Sequence, residues 1–290
     1  MEAVLTLFAL SLVVIGALIH ATWNLLAKHS RGGTHFVWAY SVVSAVLYLP
    51  LAVWALASGG MKWTLPAVVT ILATGGLHLG YSLVLQGGYK RAGLSVVYPV
   101  ARGTGPALAV IGAVALLHEP VTLASAAGTL LVIGGVFIIG FARDRASGIP
   151  IWPGIRWGAL TGLFIAAYTL NDGAAVRLLA LSPILVDYFG TLFRIIVLAP
   201  VVLHDRAKLR AEWQRTANYS IAIGALIPIP YILALYAMKL TSVSFVAPAR
   251  ELSMLVGVLL GWRFLDEEDV TQRFVGATLI AAGVVALSFS

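Results

Sequence analysis

The chain alternates between long apolar runs and short polar turns along its whole length. A helix needs about 20 apolar residues to cross the hydrocarbon of a bilayer. The runs are continuously apolar rather than alternating, which excludes a transmembrane barrel, and backbone groups in lipid must be satisfied within each segment. Every run is therefore predicted to be a helix. Ten are predicted, at residues 3–26, 36–56, 65–89, 94–117, 121–141, 155–178, 183–204, 217–239, 243–262 and 270–289.

The composition agrees with a membrane protein. Of 290 residues, 60% are hydrophobic and 11% are charged, whereas a soluble domain carries about 25% charged residues. We therefore expect a multi-pass protein of the cell inner (plasma) membrane, with the lipid bilayer as its surroundings. The absence of cysteine excludes disulfides, thiolate metal sites and thiol catalysis.

The net charge of +7 is explained by membrane orientation rather than by a nucleic-acid partner. Lys and Arg concentrate in the short turns, as the positive-inside rule predicts. Thirteen lie on the face that holds the first, third, fifth, seventh and ninth turns, and three lie on the face that holds both termini. The count favours termini outside the cell.

An internal repeat appears when the chain is shifted by 148 residues. The shift aligns Ala101-Arg102 with Ala249-Arg250, Glu119 with Glu267, Gly128 with Gly276, and Gly135-Val136 with Gly283-Val284. Each predicted unit has five helices, an odd number, so the second unit enters the membrane inverted, as in many secondary transporters. We therefore predict an all-α integral membrane fold of two inverted five-helix repeats. The repeats are residues 1–141 and 155–290, joined by a loop at 142–154.

Three arginines lie within the apolar runs: Arg102, Arg250 and Arg194. A guanidinium at the bilayer centre costs at least about 2.5–3.5 kcal/mol and cannot deprotonate. These side chains must therefore face a wet cavity or an acid. One interpretation is a cavity that grips a carboxylate or another anion. The other is structural, with Arg250 paired to Glu251 and Arg194 paired to Asp187 or Asp172.

Polar and aromatic residues recur at lipid depth beside these arginines, where they could form a cavity wall. Helix 1 carries His20, Trp23 and Asn24, and helix 6 carries Tyr168, Asn171 and Asp172 at corresponding places. Trp23 suits an interfacial belt equally well. The predicted substrate-binding residues are Arg102, Arg250, Trp23, Asn24, Tyr98, Tyr168, Arg194, Glu251 and His78.

Other polar and small residues have structural interpretations. Glu119 and the acidic run Asp266-Glu267-Glu268 stand where predicted helices begin, and an acid there favours the helix dipole. Small residues four apart, at Gly76/Gly80, Gly158/Gly162 and Gly257/Gly261, predict close helix packing. Pro228 and Pro230 predict a kink in helix 8.

The chain has no P-loop, HExxH or GxSxG motif, so ATP-driven pumping and the enzyme classes that use these motifs are not expected. No cofactor is expected. A small-molecule substrate is the expected partner, and a homodimer stays open.

The predicted architecture, with HATWNLLAK on helix 1, AAYTLNDG on helix 6 and a His-Glu-Pro turn before helix 5, resembles the drug/metabolite transporter superfamily and its EamA family. The resemblance implies an inverted-repeat bundle that transports small metabolites, often outward, by alternating access. In relatives that carry phosphates and nucleotide sugars, basic residues on helices 4 and 9 contact the ligand, and by this resemblance Arg102 and Arg250 match them in helix and approximate depth. The resemblance implies that both termini lie inside the cell, whereas the count of Lys and Arg on the two faces places them outside. Helix 1 has no acid beyond Glu2, which disfavours cationic drugs.

The function expected is a secondary transporter, exporting or exchanging a small organic metabolite with an anionic or zwitterionic group. Two alternatives remain open at this point. One is a lipid-carrier flippase of the same architecture. The other is a non-transporting membrane protein whose arginines form structural pairs.

Overall fold

The structure, a computed structural model, describes residues 2–30, 33–92, 94–141, 151–256 and 270–289. Every regular element in these ranges is an α-helix. The helices are α1 (Glu2–Ser30), α2 (Thr34–Ala57), α3 (Leu65–Arg91), α4 (Leu94–Leu117), α5 (Leu123–Phe141), α6 (Ile151–Arg177), α7 (Pro183–His204), α8 (Arg206–Leu226), α9 (Pro228–Leu240), α10 (Val243–Ala249) and α11 (Val270–Leu287).

Within the described ranges, six segments are long and apolar enough to cross a membrane. They are Val4–Ala27, Thr34–Ala57, Leu65–Arg91, Val96–Leu117, Pro183–His204 and Arg206–Leu240, and two shorter apolar helices cover Leu123–Ile139 and Phe274–Leu287. Large apolar side chains such as Phe8, Trp54 and Leu123 are exposed on the outer surface, where lipid contact removes the cost that water would impose. The chain is a multi-pass membrane protein, and the count of ten spans stays a prediction.

Most helix ends agree with the predicted spans to within a few residues, but α8 does not. Helix 8 was expected to begin at residue 217, whereas α8 begins at Arg206. Asp205 caps it, because its Oδ1 accepts a hydrogen bond from the backbone N–H of Lys208 at 2.9 Å. The polar residues after Asp205 are good helix formers, so the helix extends beyond the apolar run. Similarly, α6 begins at Ile151, inside the predicted loop 142–154, of which residues 142–150 lie outside the described ranges.

Two helical regions of the second half are interrupted within the described residues. Pro228, which starts α9, has no N–H to donate, but Ile227 before it keeps helical φ and ψ (−56° and −44°) and donates to Ile223 O at 2.8 Å, so the expected kink in helix 8 stays a prediction. The expected span 243–262 is not one continuous helix: α10 ends at Ala249, and Arg250 and Glu251 form a turn. Glu251 N–H donates to Pro248 O at 2.9 Å and Met254 N–H to Glu251 O at 2.8 Å, which is the tighter 3₁₀ pattern.

Helices α5 and α11 pack through glycines that the predicted repeat relates to each other. A Cβ on Gly128 would meet the carbonyl oxygen of Gly283 at 2.7 Å, and one on Gly135 would meet that of Gly276 at 2.4 Å. The two contacts are images of one another under the 148-residue shift. Because rising numbers on α5 meet falling numbers on α11, the two aligned helices run antiparallel, which is the relation that an inverted repeat requires.

The other glycine motifs divide between packing and open space. On α6, a Cβ at Gly158 would lie 2.6 Å from Val100, and one at Gly162 would lie 2.0 Å from Thr104, so α4 and α6 approach closely here. Gly80 packs against Phe164 in the same way. Gly76 was expected to pack closely, but a Cβ there would meet nothing within 4 Å. Gly257 and Gly261, with Asp266, Glu267 and Glu268, lie outside the described residues.

Glu119 binds a helix N-terminus, but not the one expected. The helix after it, α5, begins only at Leu123. The Glu119 carboxylate instead accepts hydrogen bonds from Val243 N–H at 2.8 Å and Ser244 N–H at 2.9 Å, the first residues of α10, and pairs with Arg177. The carboxylate satisfies two of the free N–H groups of α10 and complements its dipole. Glu119 therefore joins α10 to the first half of the chain.

We predict that Gly135→Ala destabilises the bundle, because the added Cβ would collide with the backbone of α11 at Gly276. Overpacking costs about 1–3 kcal/mol. The measurement is thermal unfolding in detergent, with the yield of monodisperse protein.

The matched control is Gly134→Ala, where a Cβ would meet nothing within 4 Å. There alanine should leave the melting temperature unchanged or raise it, since alanine is the better helix former by up to about 1 kcal/mol. Equal melting temperatures for the two variants would contradict the described α5–α11 contact.

Candidate functional site

A cavity of about 290 Å³ lies between the two halves of the chain. This is near the lower end of the range, about 300–1,000 Å³, of small-molecule sites. Its walls come from α1, α2, α3, α4, α6, α7, α9 and the turn after α10. The polar and aromatic lining residues are His20, Trp23, Asn24, Tyr40, His78, Tyr81, Ser82, Gln86, Tyr98, Arg102, Tyr168, Asp187, Arg194, Tyr231, Arg250 and Ser253. Eight of the nine residues predicted for the site are in this list, and Glu251 is not.

Arg102 is held by residues of the other half of the chain. It lies eight residues into α4, at the predicted depth, and its side chain is 12% exposed. Its Nε lies 3.0 Å from Glu251 Oε2, an ion pair without hydrogen-bond geometry. Its Nη2 donates to Ser253 Oγ at 3.0 Å, and its Cζ lies 5.9 Å from the Tyr98 ring centre. The structural pairing expected for Arg250 and Glu251 therefore occurs between Arg102 and Glu251, because the turn at 250–251 points two adjacent side chains in different directions.

Arg250 lines the cavity without such a partner. Its Cζ lies 5.5 Å from the centre of the Tyr231 ring, a cation–π distance. Among the described residues it makes no hydrogen bond through its side chain and no ion pair, and the same is true of Arg194 on α7. Both guanidinium groups therefore keep unused donors at the cavity.

Asp187 is a lining residue that the sequence analysis considered only as a structural partner of Arg194. In the described part of the chain it forms no ion pair and no side-chain hydrogen bond. It stands seven residues before Arg194 on α7, roughly 10 Å along the helix axis. A seven-residue spacing places both on the same helix face, and that signal could have assigned Asp187 to the cavity.

Asp172 is fully buried beneath the cavity and is the centre of a hydrogen-bond network. Thr74 Oγ1 donates to its Oδ1 at 2.5 Å, Asn171 Nδ2 donates to the same oxygen at 3.0 Å, and the Tyr231 hydroxyl donates to its Oδ2. His78 Nε2 lies 3.1 Å from Oδ2. These four partners come from α3, α6 and α9, so the network ties the two halves together.

Aromatic rings form much of the remaining wall. The His78 ring stacks on Tyr168, with centres 4.1 Å apart, and Tyr81 meets Tyr168 edge-on at 5.8 Å. On α1, His20 and Trp23 are in edge contact at 4.9 Å, and Asn24 Nδ2 donates to His20 O at 2.9 Å. Trp23 Nε1 is buried and has no hydrogen-bond partner in the described ranges. Tyr81, on helix 3 with His78, was expected as a possible lining residue and does line the cavity, whereas Tyr40 and Tyr231 were missed because apolar helices carry many tyrosines and the direction each one faces depends on packing.

No group of three or more His, Cys, Asp or Glu side chains that could hold a metal ion occurs within the described ranges. The cavity lining carries guanidinium, indole, phenol, amide, hydroxyl and imidazole groups, together with the carboxylate of Asp187. This set suits the binding of a small organic molecule through charge and ring contacts.

Comparison with known proteins agrees with this architecture. Residues 152–289 match the model of the EamA-like transporter family. A solved structure described as "Crystal structure of protein" superposes with a TM-score of 0.73 at 16% identity, covering 99% of this chain and 98% of that one. At this identity the likeness shows the fold alone. Among curated protein sequences, none matches.

These findings define a membrane protein of the small-molecule transporter class. The match of residues 152–289 to the EamA-like transporter family confirms the resemblance predicted from the sequence.

We predict that Glu251→Gln lowers the thermal stability of the protein. The variant leaves Arg102 buried without its counter-charge, and breaking a buried ion pair from one side costs about 3–5 kcal/mol. The measurement is the melting temperature in detergent.

The double variant Arg102→Met/Glu251→Gln removes both charges and should recover most of the lost stability, because no uncompensated charge remains. If Glu251→Gln has the same melting temperature as the native protein, the ion pair between Arg102 and Glu251 does not stabilise the fold and the prediction is wrong.

Proposed function

We propose that this protein is a secondary transporter of a small organic metabolite with an anionic or zwitterionic group. It moves the metabolite by alternating access around the central cavity, as an exporter or exchanger of the cell inner membrane. The observation that carries the proposal is the Arg250 guanidinium at a cavity between the two halves, with no hydrogen-bond or ion-pair partner among the described residues. A cation in that place is costly unless a ligand or water satisfies it.

Arg250 holds the anionic group of the substrate in this proposal. Its planar fork offers paired N–H donors that match the two oxygens of a carboxylate. The Tyr231 ring, 5.5 Å from Cζ, limits the directions in which the guanidinium can point. Arg194, on the opposite helix α7, offers a second set of free donors, which would serve a substrate whose acceptors lie further apart.

Arg102 has a different role, because Glu251 already neutralises it. It acts as a second contact that becomes available when the Glu251 pair loosens. The aromatic and amide side chains shape the rest of the site: Trp23, Asn24, Tyr98, Tyr168 and the His78 ring line the space around the arginines. Their flat apolar faces favour a substrate with an organic body over a bare inorganic anion.

Alternating access requires points at which the bundle can flex. The junction of α8 and α9, where Pro228 interrupts the backbone hydrogen bonds, and the turn at Arg250–Glu251 after α10 both lie beside the cavity. Broken helices around a central site are typical of inverted-repeat transporters. In the proposed cycle the two inverted units, residues 1–141 and 155–290, rock about the cavity and expose it to each side in turn.

A structural role for the arginines is the second candidate, and one observation favours it for Arg102, which pairs with Glu251 across the halves. The same interpretation does not suit Arg250, which has no acid paired to it in the described residues. The two arginines can therefore be tested separately.

We predict that Arg250→Ala reduces uptake on the order of 10- to 100-fold, since a hydrogen bond to a charged group contributes about 1.5–3 kcal/mol. The measurement uses proteoliposomes and a mixed panel of amino acids, organic acids and sugar phosphates, with the accumulated compounds read by mass spectrometry. A thermal-shift screen of the same panel identifies compounds that bind the native protein.

Arg250→Lys keeps the charge but loses the paired donors, so uptake should be partly retained. Arg210→Ala is the matched control, because Arg210 is exposed on α8, away from the cavity. If Arg250→Ala loses melting temperature together with transport, the arginine is a structural lock and the proposed role is wrong.

A further inference from the structure

His78 has a geometry that goes beyond lining the cavity. Its Nε2 lies 3.1 Å from Asp172 Oδ2 and 3.1 Å from the Tyr231 hydroxyl. The Tyr231 hydroxyl donates its single hydrogen to Asp172, so it can only accept from His78. A carboxylate oxygen is also an acceptor. Both neighbours of Nε2 are therefore acceptors, and Nε2 must carry a hydrogen.

The other ring nitrogen is then unprotonated in the neutral ring. Nδ1 has no hydrogen-bond partner among the described residues. It is also not among the polar atoms that are both buried and unpaired, so it is accessible to solvent. His78 lines the cavity and its side chain is 18% exposed. Nδ1 is thus a free base open to the cavity, on a ring whose opposite nitrogen is held by a buried carboxylate.

This arrangement suits reversible proton binding. In the Ser-His-Asp triad a buried carboxylate fixes the tautomer of the imidazole and stabilises the imidazolium that forms. Here Asp172 stands in that relation to His78, with the two nitrogens exchanged. Thr74, Asn171 and Tyr231 satisfy the remaining capacity of the carboxylate. Stacking on Tyr168 at 4.1 Å keeps the ring in place.

We propose that His78 Nδ1 is the proton-binding site of this transporter, and that the proton and the anionic group of the substrate bind together and move in the same direction. This rests on the proposed transport function. The proton enters from water in the cavity, forms an N–H bond at Nδ1, and leaves the same way after the cavity has opened to the other side. No other bond forms or breaks.

The charges around His78 determine the sign of the coupling. Asp172 on α6 is its counter-charge, and Asp187 on α7 and His20 on α1 line the same cavity. Arg102 on α4 is neutralised by Glu251. The tyrosines that meet the ring are Tyr168 from α6 and Tyr231 from α9.

Two further cations, Arg194 on α7 and Arg250, line the cavity, and Arg250 faces the same Tyr231 ring as His78. Arg250 Cζ lies 5.5 Å from the Tyr231 ring centre, and the centre of the His78 ring lies 5.1 Å from it. A protonated His78 therefore adds a second positive charge near Arg250. An anion bound between them relieves that repulsion, so anion and proton each favour the binding of the other.

The first experiment reads the ring directly and needs no substrate. The protein is labelled with ¹⁵N at its six histidines, and His78→Gln assigns the His78 signals. We expect the proton on Nε2 at high pH, and the Nδ1 resonance moving to that of an N–H as the pH is lowered. An Nδ1–H tautomer, or a ring that stays neutral while the protein remains folded, would overturn the proposal.

The second experiment measures coupling in proteoliposomes with the mixed panel of amino acids, organic acids and sugar phosphates. With an imposed pH gradient, the native protein should accumulate a panel compound on the alkaline side, several-fold above equilibrium. His78→Gln keeps an amide N–H for Asp172 but has no nitrogen that titrates. It should accumulate the same compound on the alkaline side several-fold less than the native protein does. His204→Gln, at an exposed histidine that ends α7, is the matched control.

Each outcome separates the two proposals. Accumulation by His78→Gln equal to that of the native protein, or accumulation on the acidic side, contradicts the coupling assigned to His78. If His78→Gln and the native protein have equal melting temperatures, the loss of accumulation is not caused by a loss of folding. His78→Ala measures the effect of removing the contact with Asp172. If the native protein moves no panel compound while Nδ1 titrates as expected, the transport proposal fails and the proton site stands.

Discussion

The constraint on which this structure depends is the cost of a charge inside a membrane, which must be neutralised, hydrogen-bonded or wetted. Three buried acidic groups meet it with partners from the other half of the chain. Glu251 pairs with Arg102, Asp172 binds Thr74 and His78, and Glu119 binds the N-terminus of α10 and Arg177. The polar contacts that are costliest to leave unmade are thus the same contacts that join the halves. Because these contacts surround the cavity, they constrain how the two halves can move apart.

The charged groups differ in how completely their hydrogen-bonding capacity is satisfied. This difference distinguishes the groups that hold the fold together from those that can bind a ligand. Glu119 accepts two backbone N–H groups and an arginine, and Asp172 has four hydrogen-bonding neighbours. Both carboxylates are buried in the packed interior. Arg250, Arg194 and Asp187 line the cavity without such partners in the described residues. Groups that the protein leaves unsatisfied are those that a ligand can satisfy, and they include both signs of charge.

Sequence patterns predicted the elements well, because a span must be long, apolar and helical whatever it packs against. They also predicted the depth of Arg102, since depth follows from distance along the helix. Partners could not be predicted in this way. Glu251 follows Arg250 in sequence yet pairs with Arg102, and Glu119 precedes α5 yet binds α10. Both depend on helix rotation and on the turn after Ala249. The start of α8 was missed because an apolar window does not detect a capped polar helix extending into water.

The short helix α10 connects these features. Glu119 fixes its first residues, whereas its last turn contains Pro248, which has no N–H to donate, and the hydrogen bonds after Ala249 tighten to the 3₁₀ pattern. This second end carries Arg250, which lines the cavity, and Glu251, which pairs with Arg102. An anion that draws on Arg250 therefore acts on the residue beside the Arg102 ion pair, which joins the halves. A ligand shifts an equilibrium only through its different affinity for two states. Arg250 faces the ligand, and its neighbour Glu251 binds Arg102 of the other half. These two adjacent residues can therefore couple ligand binding to the contact between the halves.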